Sequence, residues 1–468
     1  VEVQYQGSQT RLKPADFHPD LRILSIDLET TMRADRILSA AIYAPDFKLV
    51  LMQGQGADTP WLRYVANERQ LLQAFIKAVR EYDPDLFIGW NVVGFDFRVL
   101  HERAKAQSVS LLLGRDRQPM HLHESAQGKL FVRLSGRMVL DGIDTLKGAT
   151  YQFESYSLEN VSREMLDRGK IIDHVEQRGD EIQRLFREDK EALARYNLED
   201  CKLVWDIFEK ADLINYLIER ARLTGLPLDK VGGSAAAFDN QYLPHLHRGG
   251  YVAPEYASGI SGLSAPGGYV MDSLPGLYRH VLVLDFKSLY PSIIRTFKID
   301  PLGLSEGLKE GADEDDLIPG FNHAIFSRRK TILPNLIETL WDARDQAKKN
   351  CNKPLSQAIK IIMNSFYGVL GSNVCRFFDQ RLSSSITLRG HEILMKTRDC
   401  IEEKFGYKVI YGDTDSVFVW LGDDFPVEDA NDKGQELADY LNRWWTDNLR
   451  QRFNLDTFLE IEYETHYS

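Results

Sequence analysis

The sequence runs to 468 residues and 53.7 kDa, too long for one core, with 43% hydrophobic and 27% charged residues as in a soluble globular chain. A formal net charge of -12 argues against a uniformly cationic nucleic-acid binder. No apolar run reaches the length of a membrane span, and four scattered cysteines exclude a disulfide scaffold or a zinc knuckle. The first residues, from Val1, lack an initiator Met and any signal-peptide pattern, so the chain reads as entered partway. Reduced thiols and the missing leader point to the cytoplasm.

Leu21 to Tyr43 reads as two strands around a turn. In the first, Asp27 and Glu29 are two apart and share one face, so both can reach one ion while Ile26 and Leu28 face the core. Such pairs are also common on edge strands. Glu68 to Tyr82 has helical periodicity and Pro84 closes it. Leu86 to Asn91 reads as a strand leading into Asn91-Val92-Val93-Gly94-Phe95-Asp96, where Asp96 is a further candidate carboxylate or else the cap of a helix over Phe97 to Ala104. A helix from about Gln183 to Lys210 contains Tyr196-Asn197-Leu198-Glu199-Asp200, which puts Tyr196 and Asp200 on one face. Ile214 to Leu226 reads as helical, and Val231 to Leu246, with its Gly-Gly and Ala run, permits close packing or a substrate-lined surface. The Gly-, Pro- and Ser-rich run from Gly249 to Gly268 marks a junction, with Gly267-Gly268-Tyr269-Val270 expected to turn into a strand.

From His280 to Ile294 an apolar, β-branched run suited to a strand buried on both faces ends in Asp285. A carboxylate there needs a partner, and a hard divalent cation answers that need; a helix cap or turn acid is the plain alternative. A second acidic cluster, Tyr411-Gly412-Asp413-Thr414-Asp415-Ser416, lies between two apolar runs and reads as a hairpin tip with Asp413 and Asp415 flanking Thr414. Two acidic clusters invite a metal. Cations concentrate between Arg328 and Lys360, where eight against three acids leave a net +5, whereas Glu310 to Asp316 reads as a solvated loop. Arg344 and Lys348 are an i, i+4 pair on a helix over Leu336 to Lys349, with a solvated face as the plain reading. Lys360, Asn364 and Tyr367 occupy one face of the next helix.

The order of the first-half motifs, Asp27-x-Glu29, Asn91 to Asp96, then Tyr196 to Asp200, resembles the Tyr-bearing DEDD exonucleases that proofread for DNA polymerases. Asp285 with Ser288 to Ile294, Lys360 to Gly368, and Tyr411 to Ser416 resemble the three polymerase motifs of family B DNA polymerases, the bacterial members most closely. The resemblance covers nearly the whole chain. It implies an α/β and α+β multidomain fold: the remnant of an N-terminal domain at 1–20, a ribonuclease H-like 3′-5′ exonuclease domain at 21–215, a connecting region at 216–266, a palm at 267–305 and 371–468, and helical fingers at 306–370, with the thumb missing.

The implied activity is template-directed DNA synthesis with 3′-5′ proofreading, in repair synthesis and replication past damage, by two-metal catalysis. Two Mg²⁺ ions per site, with Mn²⁺ as substitute, would be held by Asp27, Glu29, Asp96 and Asp200 for trimming, with Tyr196 orienting the attacking water and Asn91 in support. Asp285 and Asp415, with Asp413 less directly, would hold those for synthesis. Arg344, Lys348, Lys360 and the amides around Leu289 and Tyr290 would meet the triphosphate, Asn364 and Tyr367 the incoming nucleotide, and Tyr290 the sugar, favouring deoxynucleotides. Expected partners are primer-template DNA, single-stranded 3′ ends, deoxynucleoside triphosphates and a sliding clamp reached through a C-terminal segment absent here. A monomer associated with the bacterial nucleoid, and no membrane, complete the expectation. An exonuclease-only fragment and a non-catalytic DNA-binding scaffold are the alternatives.

Overall fold

The computed structural model describes residues 15, 17–125, 128–169, 178–230, 233–256, 258–263 and 266–468. Of the expected N-terminal remnant, residues 1–14 and 16 lie outside the described residues, as do Val231 and Gly232. The described residues form two compact units, 15–222 with 227–230, and 223–226 with 233–468. None of their helices is long and apolar enough to cross a membrane.

The first unit is built on a six-stranded sheet in the order β4-β3-β2-β1-β5-β8. Its strands are β1 (Ile23–Thr30), β2 (Ile37–Ala44), β3 (Phe47–Gln53), β4 (Leu62–Val65), β5 (Leu86–Gly89) and β8 (Met138–Asp141); a separate hairpin joins β6 (His121–Glu124) to β7 (Leu130–Arg133). β1, β2 and β3 pair antiparallel, while β4, β5 and β8 add in parallel. β2, with the sequence ILSAAIYA, is buried at seven of its eight positions, which places it inside the sheet. Helix α1 (Glu68–Tyr82) is capped by Asn67, which accepts the Gln70 N–H, and buries Leu71, Leu72, Phe75, Ile76 and Val79 on one face. A π-helical turn at Val93–Phe97 runs into α2 (Arg98–Ala106). Then come α3 (Gly142–Gly148), α4 (Leu158–Leu166), α5 (Arg178–Glu188), α6 (Lys190–Lys210) and α7 (Leu213–Thr224). The single helix expected over 183–210 is two. Asp189, at φ -148 and ψ 80, leaves helical geometry and starts α6 by accepting the Ala192 N–H.

The second unit begins with α8 (Ser234–Arg248) and centres on a four-stranded antiparallel sheet, β12-β13-β9-β14. β9 (Val281–Phe286) is flanked by β13 (Ser416–Trp420) and β14 (Ile461–Tyr467), and β12 (Lys408–Asp413) lies outside β13. Val281 to Leu284 are all buried. After β9 come α9 (Leu289–Thr296), α10 (Pro301–Gly307) and a small hairpin of β10 (Leu317–Pro319) and β11 (Ile325–Ser327). Helices α11 (Leu333–Lys349) and α12 (Lys353–Leu370) pack as a hairpin; α13 (Gln380–Phe405) and α14 (Ala430–Phe453) complete the unit. Leu282, Leu284 and Phe286 of β9 share one core with Ile293 of α9, Ile337 of α11, Phe366 of α12 and Trp445 of α14. The segment Gly267-Gly268-Tyr269-Val270 forms one isolated bridge, Val270 to Asp413, in place of the expected strand.

Candidate active sites

In the first unit, β1 carries Asp27 and Glu29, and α6 presents Asp200 one turn after Tyr196. Carboxylate oxygens of Asp27, Glu29 and Asp200 lie within 4.8 Å of one another, the one such group of three among the described residues. Glu29 and Asp200 are buried and Asp27 half-buried, so the three form an all-oxygen donor set with little water to screen their repulsion. That chemistry fits a hard divalent cation.

Asp96 stands apart from this group. It sits on the π-helical turn, fully buried, and its Oδ1 accepts the Leu28 N–H at 2.9 Å, between the two acids of β1. Burial, then the charge of Asp27, pushes its carboxyl well up, against the pull of the Leu28 N–H. A π-helical turn at such a place often marks function. Asn91, left-handed at φ 54, begins the bend, and a Cβ on Gly94 would come within 2.5 Å of the Asn91 side-chain oxygen.

Two further side chains belong to this site. Asn197 Nδ2 donates to Asp27 Oδ2 at 2.6 Å, the end of the amide that an acceptor-only carboxylate requires, while its Oδ1 accepts the Ser39 hydroxyl at 2.8 Å, which steadies that orientation. Asp141, at the end of β8, accepts the Ile143 N–H at 3.0 Å as cap of α3 and also the N–H of Val93, the first residue of the π turn. Asn197 sits inside the Tyr196 to Asp200 motif, but spacing along one helix cannot reveal a partner on a strand 170 residues away.

In the second unit, Asp285, next to last in β9, lies directly across from Ser416 of β13, whose hydroxyl donates to Asp285 Oδ1 at 2.6 Å. Burial raises the Asp285 carboxyl, Ser416 opposes this, and Glu464 of β14 adds repulsion. Asp415 is pushed up to about 6, chiefly by burial and then by the charge of Asp285. The backbone ties the two acids together, since Phe286 N–H donates to the Asp415 carbonyl at 2.8 Å. Asp413, at the end of β12, is exposed, and its carboxylate accepts the Thr414 hydroxyl at 2.8 Å and the Tyr411 hydroxyl at 3.4 Å. Thr414 is left-handed, at φ 54, and its N–H donates to the Tyr269 carbonyl at 2.8 Å. Gly268 packs against it so closely that a Cβ there would lie 2.3 Å from Thr414 Oγ1. Glu464, absent from the candidate set, sits where the β14 register shifts between Tyr463 and Thr465.

Leu289 and Tyr290 open α9, where first-turn N–H groups lack a carbonyl one turn back. The Tyr290 ring lies 4.6 Å from that of Tyr367 on α12, tilted by 49°. Burial, then Tyr367, Asp415 and Asp413, pushes the Tyr290 phenol up to about 12. On α12, Lys360 and Asn364 are exposed and Tyr367 is half-buried, opposite the buried Ile359, Ile362, Met363 and Phe366. On α11, Lys348 is exposed and Arg344 half-buried, its Nε without a hydrogen-bond partner among the described residues; burial lowers its pKa.

Comparison with known proteins gives two family matches. Residues 1–161 match DNA polymerase family B, exonuclease domain, and residues 231–458 match DNA polymerase family B. The chain is 50% identical to DNA polymerase II of Escherichia coli (strain K12), across 98% of its own length and 59% of that relative's. It is 29% identical to a DNA polymerase of Thermococcus gorgonarius across 97% of its length and 59% of the relative's. It is also 29% identical to the DNA polymerase delta catalytic subunit of Glycine max, across 96% of its length and 46% of the relative's. The chain thus spans about three-fifths or less of the relatives it matches.

Proposed function

Because this chain belongs to DNA polymerase family B and carries both its exonuclease and its polymerase domain, we propose that it extends a primer 3′ end on a DNA template and trims mispaired 3′ ends at a second site. The observation that carries this reading is that each compact unit has its own carboxylates in the C-terminal half of a sheet strand flanked on both sides, Asp27 and Glu29 of β1 in one and Asp285 of β9 in the other. The parallel and antiparallel mix of the first sheet, with α6 supplying Asp200, supports a ribonuclease H-like exonuclease. The antiparallel sheet with its helical hairpin supports a palm at 267–305 and 371–468 and fingers at 306–370.

For trimming, Asp27, Glu29 and Asp200, together with Asp96, would hold the metal pair, and Tyr196 would orient the attacking water. For synthesis, Asp285 and Asp415 would hold the pair, with Asp413 contributing less directly. Mg²⁺ suits both all-oxygen sets, with Mn²⁺ as substitute; when bound, the ions activate water or the primer hydroxyl and neutralise phosphate charge. Lys360, Arg344 and Lys348 meet the triphosphate together with the first amides of α9 at Leu289 and Tyr290. Asn364 and Tyr367 line the nucleotide, and the Tyr290 ring closes the space beneath the sugar. The substrates are primer-template DNA, single-stranded 3′ ends and deoxynucleoside triphosphates. The biological role is repair synthesis and replication past damage, by a cytoplasmic, nucleoid-associated monomer that meets a sliding clamp.

A 5′-labelled primer on a longer template, incubated with Mg²⁺ with and without the four deoxynucleotides, tests the reading. Extension is expected to vanish only in Asp285→Ala, and trimming only in Asp27→Ala. An unmodified chain that trims but never extends would leave an exonuclease fragment, and one that does neither would leave a DNA-binding scaffold.

A further inference from the structure

Asp300 belongs to none of the carboxylate groups above, yet it is fully buried and joins four elements. It follows α9 after three residues and caps α10, its Oδ1 accepting the Leu302 N–H at 3.1 Å and the Gly303 N–H at 3.4 Å. Its Oδ2 accepts the N–H of Ile332 at 3.0 Å and of Leu333 at 3.1 Å, where α11 begins. From α8, the Tyr242 hydroxyl donates to the same carboxylate at 2.8 Å and accepts the Leu302 N–H at 3.0 Å. One buried anion therefore receives the positive ends of two helices, α10 and α11, and a phenol that is itself held in place. α11 has no other cap: Ile332, at its N-cap position, offers no side-chain acceptor.

We propose that Asp300 is a positioning residue for nucleotide binding, fixing the direction of α11 and thereby the placement of Arg344 and Lys348 against the triphosphate. This rests on the polymerase reading of the second unit. Arg344 lies eleven residues beyond Leu333, about 16 Å along the helix at 1.5 Å per residue. A tilt of roughly 5° at the anchor moves the guanidinium by more than about 1 Å, a scale at which misplacement lowers rates substantially. No protein acceptor engages Arg344 Nε among the described residues, so the direction of the helix governs where that group sits. Farther along, Arg295 of α9 meets Glu338 of α11 at 3.1 Å and lies over Trp341, steadying the helix between its anchor and its cations.

The test compares the full chain with Asp300→Asn, which turns an amide N–H toward backbone donors, and with Tyr242→Phe, which keeps the carboxylate and removes one donor. Asp300→Asn is expected to raise the KM for deoxynucleotides at least about tenfold, with primer-template affinity and 3′ trimming unchanged. Tyr242→Phe should move KM the same way by roughly two- to threefold. A normal KM in a folded Asp300→Asn chain overturns the proposal, and so does an equal fall in trimming and extension that cooling restores, which marks general destabilisation. Amide exchange reads the anchor without turnover: the N–H groups of Ile332 and Leu333 should lose protection in both variants, and retained protection overturns the proposal. If the unmodified chain incorporates nothing, the polymerase reading fails while exchange still decides whether Asp300 holds α11. Should Asp300→Asn fail to fold, Tyr242→Phe carries the same measurements.

Discussion

Ser416 donates its hydroxyl to Asp285 at 2.6 Å from the directly opposed position on the neighbouring strand. A hydrogen bond to an ionised group contributes about 1.5–3 kcal/mol, and this one keeps the carboxyl lower than burial and Glu464 would leave it. Ser416→Ala is therefore expected to reduce primer extension by about tenfold or more while leaving trimming unchanged. Measuring both on one labelled primer checks it, and parallel losses would assign Ser416 to general stability.

Asp415 makes metal-free stability depend on pH. The folded chain holds a proton there up to about pH 6, whereas an unfolded aspartate releases it near ~3.9. The folded state thus binds more protons in that window, so stability in EDTA falls as pH rises through it and levels off above. Asp415→Asn removes the penalty: at pH 8 in EDTA its Tm should exceed that of the parent. Added Mg²⁺ should raise the parent's Tm more than the variant's. A variant that melts lower in EDTA contradicts this.

Asn197 is expected to support trimming through Asp27. Replacing it with Leu should lower apparent Mg²⁺ affinity for trimming by about 10- to 100-fold, as for other groups that orient metal ligands, with extension intact. Ser39→Ala, which removes the donor to Asn197 Oδ1 and loosens the amide, should shift the same curve less. Titrating trimming rate against Mg²⁺ checks both, and a fall in maximal rate with no change in the Mg²⁺ midpoint counts against the role.

The paired rings of Tyr290 and Tyr367, 4.6 Å apart, give a fourth expectation. Opening the space with Tyr290→Ala should raise the kcat/KM for ribonucleotides relative to deoxynucleotides by roughly tenfold or more. Single-turnover incorporation with each nucleotide type measures it. Unchanged discrimination would place the selection elsewhere.

The acids were legible in the sequence because strand and helix periods bring Asp27 beside Glu29 and put Tyr196 and Asp200 on one face, and because an apolar run makes Asp285 conspicuous. What could not be read depends on contacts between distant segments. No local pattern reveals that Asp96 bonds the backbone between the β1 acids, that Asn197 reaches Asp27, or that Asp300 gathers two helix starts. The break at Asp189 escaped for the opposite reason: flanking helical periodicity conceals one residue that leaves the helix to cap the next. Glu464 was hidden by a register shift, which strand alternation alone does not foresee.

Thr414 is wound into the left-handed region at the hairpin tip, a conformation that a β-branched residue resists. Holding it there costs on the order of 1–3 kcal/mol, offset by its bonds to the Tyr269 carbonyl and the Asp413 carboxylate. Glycine at 414 would relax the backbone and release the Asp413 side chain together. Selection for heat resistance alone would drift toward glycine or asparagine at this position, and selection for turnover would keep threonine, so the two pressures diverge at a single residue.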